Sequence, residues 1–376
     1  MNFLFYTHSL VSCWNHGNAH FLRGVIRELK RRGHQVRALE PKGGWSRTSL
    51  LAEGTGEGEA RFAAKFPGFR AEEYGPEFNH EQALHAADVV IVHEWTDPAL
   101  VGRIGAERGN GGDFTLLFHD THHRAVSMRS EIAGMPLDNY DGVLAFGETL
   151  SERYLRAGWG RSVFTWHEAA DDALFRPITE VGPRDDLVWI GNWGDGERTE
   201  EISTYLIDPV RRLGLSATVH GVRYPTDALD ALNRARITYG GWIANADVPE
   251  AFARSKITVH IPRGPYVTHL PGIPTIRVFE ALACGIPLVS APWSDTEGLF
   301  RTGTDYLLAH TCDEMEKHLR DLLCDGAKRA EIARSGLQTI RERHTCRHRI
   351  DELFAILKTC GTRRVAGEIA SKEAAE

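Results

Sequence analysis

Two side chains three residues apart, Arg277 and Glu280, carry the sharpest chemical signal in this chain. At that spacing both project from one face of a helix's first turns. The pattern predicts a helix from about Thr275 to Cys284, opened by the loop Gly272-Ile273-Pro274-Thr275 and stopped by Gly285. Free backbone N–H groups at a helix start and a guanidinium both favour phosphate. A carboxylate accepts hydrogen bonds from sugar hydroxyls. Together they suit a nucleoside diphosphate sugar. The plain alternative is a helical ion pair, worth a few tenths of a kcal/mol.

A second candidate for phosphate is the run from Trp189 to Arg198. There a strand leads into a glycine-rich loop that holds Gly191 and Asn192. Glycines let backbone N–H groups approach an anion, and Arg198 has the geometry to bind phosphate bidentately. A simple turn with a solvated arginine accounts for the same residues. Tyr239-Gly240-Gly241-Trp242-Ile243 follows another strand, and its Trp242 suits either base stacking or packing. Arg263 and Tyr266 follow a third strand. His269 stands just ahead of the Gly272 turn.

In the first half, two strand ends carry histidine followed by an acid. These are His93-Glu94 and His119-Asp120, the second continuing into Thr121-His122-His123. Imidazole titrates near neutral pH and suits a general base at an acceptor hydroxyl. Zinc or iron ligation is a rival chemistry, although these ligands crowd one loop with no distant partner motif. Capping of the following helix is the plain alternative. The loop after the first strand holds His16, Gly17, Asn18 and His20 at the mouth of a helix, where backbone N–H groups could meet a ligand.

The run Glu280-Ala281-Leu282-Ala283-Cys284-Gly285-Ile286-Pro287-Leu288 resembles the donor-site signature of GT-B glycosyltransferases. Its Arg-Val-Phe-Glu start is similar to the glycosyltransferase-like family named after the spore maturation protein CgeB. The resemblance implies an α/β fold of two Rossmann-like, doubly wound domains facing a central cleft, and transfer of a sugar from a nucleotide-diphosphate donor. It places Gly191, Asn192, Arg198, Arg263, His269, Gly272, Ile273, Pro274, Thr275 and Arg277 around the donor. The nucleotide base falls beside Trp242 and Ile243, and the ribose on Glu280. Arg198 and Arg277 would stabilise the leaving diphosphate in place of a divalent metal, so no metal and no separate cofactor is expected. His119 becomes a sugar contact or base, with Asp120 as the alternative base. His16, Gly17, Asn18, His20, His93 and Glu94 line the acceptor side. One position departs from the pattern. The retaining group carries a glutamate eight residues before Glu280, and Gly272 stands there; the stereochemical course is left open. An epimerase on the same fold, or a non-catalytic scaffold, is the alternative.

These side chains need strands and helices to position them. Short β-rich runs at 3–6, 35–39, 88–93, 114–119, 142–146 and 163–166 alternate with helical stretches, the first at 20–32. Unbroken apolar strands such as Val89-Val90-Ile91-Val92 suit a parallel sheet covered on both faces. A polar, proline-bearing linker at 175–184 separates a second series, with strands at 187–190, 217–220, 237–239, 257–261 and 288–290 and helices at 201–212, 226–234 and 248–254. The expected domains are 1–178 for the acceptor and 179–345 for the donor. The last segment, 346–376, is expected to be a helix crossing back to the first domain, plus a frayed tail. The glycine-rich stretch 53–59 is expected to be a flexible loop.

The 376 residues suffice for two domains. A net charge of −7 argues against a dedicated nucleic-acid binder. Six cysteines, with no Cys-x-x-Cys pair, fit reduced thiols. No apolar run approaches the roughly 20 residues needed to span a bilayer. The expected location is cytoplasmic and the expected partners are the donor and an unidentified acceptor.

Overall fold

The computed structural model describes residues 1–11, 17–53, 58–182, 185–194 and 196–362. His16, the centre of the 53–59 loop and the tail from 363 lie outside the described residues. The chain forms two compact units. Unit 1 is Met1–Glu168 together with the chain from Cys346 onward, and unit 2 is Ala169–Thr345.

Unit 1 holds a seven-stranded sheet: β1 (Asn2–Tyr6), β2 (Gln35–Pro41), β3 (Glu72–Tyr74), β4 (Val89–His93), β5 (Thr115–Asp120), β6 (Gly142–Ala145) and β7 (Val163–Thr165). The order is β3-β2-β1-β4-β5-β6-β7, and every pairing is parallel. Every residue of β4 and β5 is buried, as continuous apolar strands covered on both faces require. The helix Asn18–Arg31 buries Phe21, Leu22, Val25, Ile26 and Leu29, and Gly33, at φ +86°, ends it. The helix Cys346–Thr359 packs on unit 1. Arg32 meets Asp351 at 2.6 Å, and the Trp166 indole donates to the Arg349 carbonyl at 2.8 Å.

Unit 2 holds six strands: β8 (Asp185–Ile190), β9 (Ala217–His220), β10 (Thr238–Tyr239), β11 (Ser255–His260), β12 (Leu288–Ser290) and β13 (Leu307–Leu308). Their order, β10-β9-β8-β11-β12-β13, is again all parallel. Its core joins Leu187, Trp189, Val219, Ile257, Val259 and Val289 to Ile202, Leu206, Val210, Leu232, Met315 and Leu319 of the covering helices. Unit 2 begins at Ala169, ahead of the linker read at 175–184. Ala170 bridges Thr345 in parallel, and its N–H bonds the His344 carbonyl at 2.9 Å. The helix expected at 201–212 widens into a π-turn at Ser203–Ile207. Pro209 has no N–H to return to the preceding turn.

Among the described residues, no helix is long and apolar enough to cross a membrane.

Candidate functional site

In doubly wound sheets, ligands sit beyond the carboxyl ends of the strands where the order reverses. In unit 2 that point lies between β8 and β11. The helix Ile276–Ala283 starts near it, with Thr275 at the N-cap in extended conformation and no side-chain cap. The Thr275 hydroxyl instead meets His260 Nε2 at 3.2 Å. The Val278 N–H bonds the Thr275 carbonyl at 3.0 Å, and the N–H groups ahead of it receive no side-chain capping oxygen, the arrangement that suits an anion.

Arg277 and Glu280 pair with each other along this helix. The pair is not the solvated one of the plain reading. Glu280 is fully buried, Arg277 is 31% exposed, and Asn245 Nδ2 donates to the second Glu280 oxygen at 2.7 Å. Ile273 and Pro274 are buried behind the helix start, and the Trp293 indole donates to the Ile273 carbonyl at 3.2 Å.

Gly272 adopts φ +91°, and a Cβ there would lie 2.3 Å from Thr296 Oγ1 and 3.2 Å from Glu297 Oε1. The absence of glutamate at this position is thus a backbone requirement.

Arg198 departs from its expected role as a free phosphate clamp. Its Nη1 donates to the Ile261 carbonyl at 2.8 Å, and Nη2 donates to the Asn192 carbonyl. It ties together the two chain segments that leave β8 and β11. Burial first, then the neighbouring Arg263, lowers its pKa to about 10. Its Nε has no hydrogen-bond partner among the described residues. Asn192 is likewise structural, accepting the Val222 N–H at 3.0 Å. Gly191 is pressed so closely that a Cβ on Gly221 would fall 2.0 Å from its carbonyl oxygen. Arg263 pairs with Glu197. Trp242 and Ile243 sit half-buried in the turn after β10, where Gly241 has φ +67°. His269 is exposed beside Thr268.

Three residues of this neighbourhood lack a sequence signal. His260 ends β11 and joins Ser290, the end of β12, through Nδ1 at 3.0 Å. Asn245 reaches Glu280 from a short 3₁₀ turn. Tyr224 donates to the Gly191 carbonyl at 2.7 Å and packs on Tyr239 and Trp193. Strand-end position could have flagged His260; nothing local flags the other two.

Burial, with Arg198 second, lowers the His260 pKa from 6.5 to about 3. Unfolded imidazole takes its proton near pH 6.5 and the folded one resists it, so acid favours unfolding. The stability is intact above pH 6.5 and is lost as pH falls towards 3. Between pH 7 and pH 5 the wild type is expected to lose about 2 kcal/mol more than His260→Gln. Urea titrations at each pH measure the difference, and parallel pH profiles would refute it.

In unit 1 the order reverses between β1 and β4, and the adjoining ends of β4 and β5 hold a buried polar network. His93 faces His119 across the strands. Its Nε2 meets Thr121 Oγ1 at 3.1 Å. Glu94 is fully buried, and Arg124 Nη1 donates to its carboxylate at 3.3 Å and its carbonyl at 2.6 Å. Burial, then the Asp120 charge, pushes Glu94 well above the usual carboxylate range. Burial also raises Asp120 to about 6, against hydrogen bonds from the Tyr154 hydroxyl at 2.7 Å and the His122 N–H at 3.1 Å.

His119 requires correction as an accessible base. It is fully buried against Trp166, Phe21 and His93. Neither ring nitrogen has a hydrogen-bond partner among the described residues, and burial lowers its pKa to about 3. An imidazole so placed stays neutral and is a weak base.

His123 Nδ1 bonds Ser127 Oγ at 2.8 Å, and the converging ligand set among the described residues is the surface group Glu81, His85 and Glu107. Asn18 and His20 turn inward, with Asn18 donating to Glu168 at 3.1 Å. Gly17 caps their helix without a side-chain bond.

Residues 198–355 match the family model described as "Glycosyl transferase-like". No curated protein matches the chain. Among solved structures, Anabaena HepE in complex with UDP and glucose is 16% identical, at a TM-score of 0.66 over 96% of this chain and all of that one. An α-glucosyltransferase with UDP-glucose and DNA containing an abasic site is 12% identical, at 0.69 over 95% and 99%. Sucrose-phosphate synthase from Thermosynechococcus elongatus is 13% identical, at 0.64 over 96% and 99%. These likenesses establish the GT-B fold.

Proposed function

We propose that this chain, which has the GT-B fold and whose residues 198–355 match a glycosyl transferase-like family model, is a glycosyltransferase that transfers a sugar from a uridine diphosphate donor held on unit 2. One observation carries the reading: the Arg277–Glu280 pair, with its buried carboxylate, at an uncapped helix start beside the switch point of a parallel sheet. The structural neighbours bound to UDP or UDP-glucose support the choice of nucleotide.

In this reading the donor exchanges with the internal ion pair. Ribose hydroxyls donate to Glu280 and the diphosphate takes the Arg277 guanidinium, with the free N–H groups of the helix start beside it. Arg198 and Arg263 repel one another, and an anion near both relieves that repulsion. The negative charge that grows on the leaving diphosphate is then met by fixed cations without a metal ion. Neither candidate of unit 1 is an accessible base in this structure: Asp120 is as fully buried as His119, and its two oxygens accept from the Tyr154 hydroxyl and the His122 N–H.

Isothermal titration with UDP, ADP and GDP in EDTA tests the donor site. Binding selective for UDP that survives EDTA is expected. A chain that binds no nucleoside diphosphate, with or without magnesium, would overturn the reading.

A further inference from the structure

Thr275 stands at the N-cap of the helix Ile276–Ala283 in extended backbone, at φ −76° and ψ 159°. From that conformation a threonine hydroxyl ordinarily accepts an opening N–H of its helix. Here it does not, and no side chain caps the helix. The same residue type behaves otherwise elsewhere in unit 2. Thr311, also extended, opens the helix Cys312–Cys324 and accepts the Glu314 N–H at 3.2 Å. Residue type and backbone region match, so the difference lies in what holds the Thr275 hydroxyl.

The hydrogen bonds around His260 fix the direction of each proton. Ser290 Oγ donates its one proton to the Ala291 carbonyl at 2.8 Å, so it can only accept from His260 Nδ1, 3.0 Å away. Nδ1 therefore carries the imidazole proton. Burial keeps the ring neutral, with a pKa of about 3, which leaves Nε2 bare. Thr275 Oγ1, 3.2 Å from Nε2, must then donate to it. The hydroxyl is committed to a strand end. The Val278 N–H is taken by the Thr275 carbonyl, so the Arg277 N–H is the donor that a released hydroxyl would reach.

We infer that His260 is a positioning residue of the donor site: it holds the Thr275 hydroxyl off the helix opening and so keeps the Arg277 N–H for a phosphate oxygen. A capping hydroxyl and a phosphate oxygen compete for that donor, and a cap formed in the free chain must break before phosphate enters. His260 removes the competitor. It acts through Thr275 rather than on the ligand, by linking the ends of β11 and β12 to the residue ahead of the helix. This role rests on the uridine diphosphate reading of unit 2, and it adds the group that keeps that site open.

A double-mutant cycle on the full chain, read by isothermal titration with UDP, separates positioning from simple bracing. His260→Phe keeps a ring in the buried space and strands no proton of Ser290, which is already given to Ala291. The released Thr275 hydroxyl should then cap the helix and weaken UDP binding about fivefold. Adding Thr275→Val removes the hydroxyl at nearly constant shape. The double variant is expected to bind UDP as tightly as Thr275→Val alone, and to be less stable in urea than His260→Phe. Affinity and stability then move in opposite directions, which lost packing does not produce. A double variant as weak as His260→Phe, or a His260→Phe chain that binds UDP like the wild type, would overturn the role of His260 and leave the donor reading intact. A wild type that binds no UDP overturns both. Should His260→Phe fail to fold, nitrogen NMR of the wild type with ring-labelled histidine, assigned by His260→Gln, decides the matter. The Nδ1–H tautomer is expected at His260, and the Nε2–H tautomer would sink the inference.

Discussion

Replacing Arg277 with alanine is expected to weaken UDP binding about tenfold to a hundredfold, the loss of a charge-assisted hydrogen bond to phosphate. The same substitution should destabilise unit 2 by about 3 kcal/mol. Glu280 is fully buried, and its carboxylate is held by Arg277 and Asn245. Without the guanidinium, the buried carboxylate loses its cationic partner and keeps the neutral Asn245 donor. The partial exposure of Arg277 lets water reach the gap, which places the cost at the lower end of the range for broken buried pairs.

Stability and binding are separable here. Adding Glu280→Gln removes the stranded charge, and its amide oxygen still accepts from Asn245. The double variant should recover most of the lost stability, measured by urea denaturation, and still fail to bind UDP by titration. If Arg277→Ala binds UDP as tightly as the wild type, the guanidinium has no part in donor binding. If the double variant regains UDP affinity, Arg277 serves only to neutralise Glu280.

Restoring the glutamate that the retaining pattern carries, Gly272→Glu, is expected to destabilise unit 2 by about 4 kcal/mol and to lower activity. Three costs act together. The backbone at φ +91° disfavours any L side chain. The new Cβ would overlap Thr296 Oγ1 at 2.3 Å, so the loop must move. The new carboxylate would also stand close to Glu297, whose Oε1 already lies 3.2 Å from the Cβ position. Gly272→Ala isolates the backbone and overlap costs from the charge and should fall between the two. A Gly272→Glu variant as stable as wild type and more active would mean that the turn tolerates a donor-facing carboxylate. The chemistry of this position is therefore set by the turn that joins it to the Ser294 carbonyl, which its N–H bonds at 2.8 Å.

Much of the architecture was legible in the chain. Val89–Val92 and Leu116–Phe118 are apolar without interruption, a pattern that only a sheet covered on both faces accommodates, and both strands are buried throughout. The stripe of Phe21, Leu22, Val25, Ile26 and Leu29 ended by Gly33 specified a helix and its stop. Strands β3 and β13 were missed; they are edges laid on β2 and β12, and the charged Glu72-Glu73-Tyr74 of β3 shows no apolar run. The first domain boundary was read at the proline-bearing segment. Parallel pairing of Ala170 with Thr345, far away in sequence, draws it back to Ala169.

The Arg277–Glu280 motif was legible for a similar reason. Arg277 and Glu280 lie within one helical turn, and helical geometry alone brings them together. What the spacing could not reveal was burial. It left open whether Glu280 is solvated, and the helix packing and Asn245, 35 residues away, make it a buried acceptor. It marked Arg198 as a cation for phosphate, whereas the ends of two non-consecutive strands claim its nitrogens. His119 looked like a base at a strand end, and the rings of Trp166 and Phe21 enclose it. Sequence by itself determined what periodicity and local spacing encode: the strands, the helices and the chemistry available at their ends. Tertiary structure decided which of those groups keep their charge and which meet solvent, since desolvation and pairing depend on residues that only the sheet order brings together.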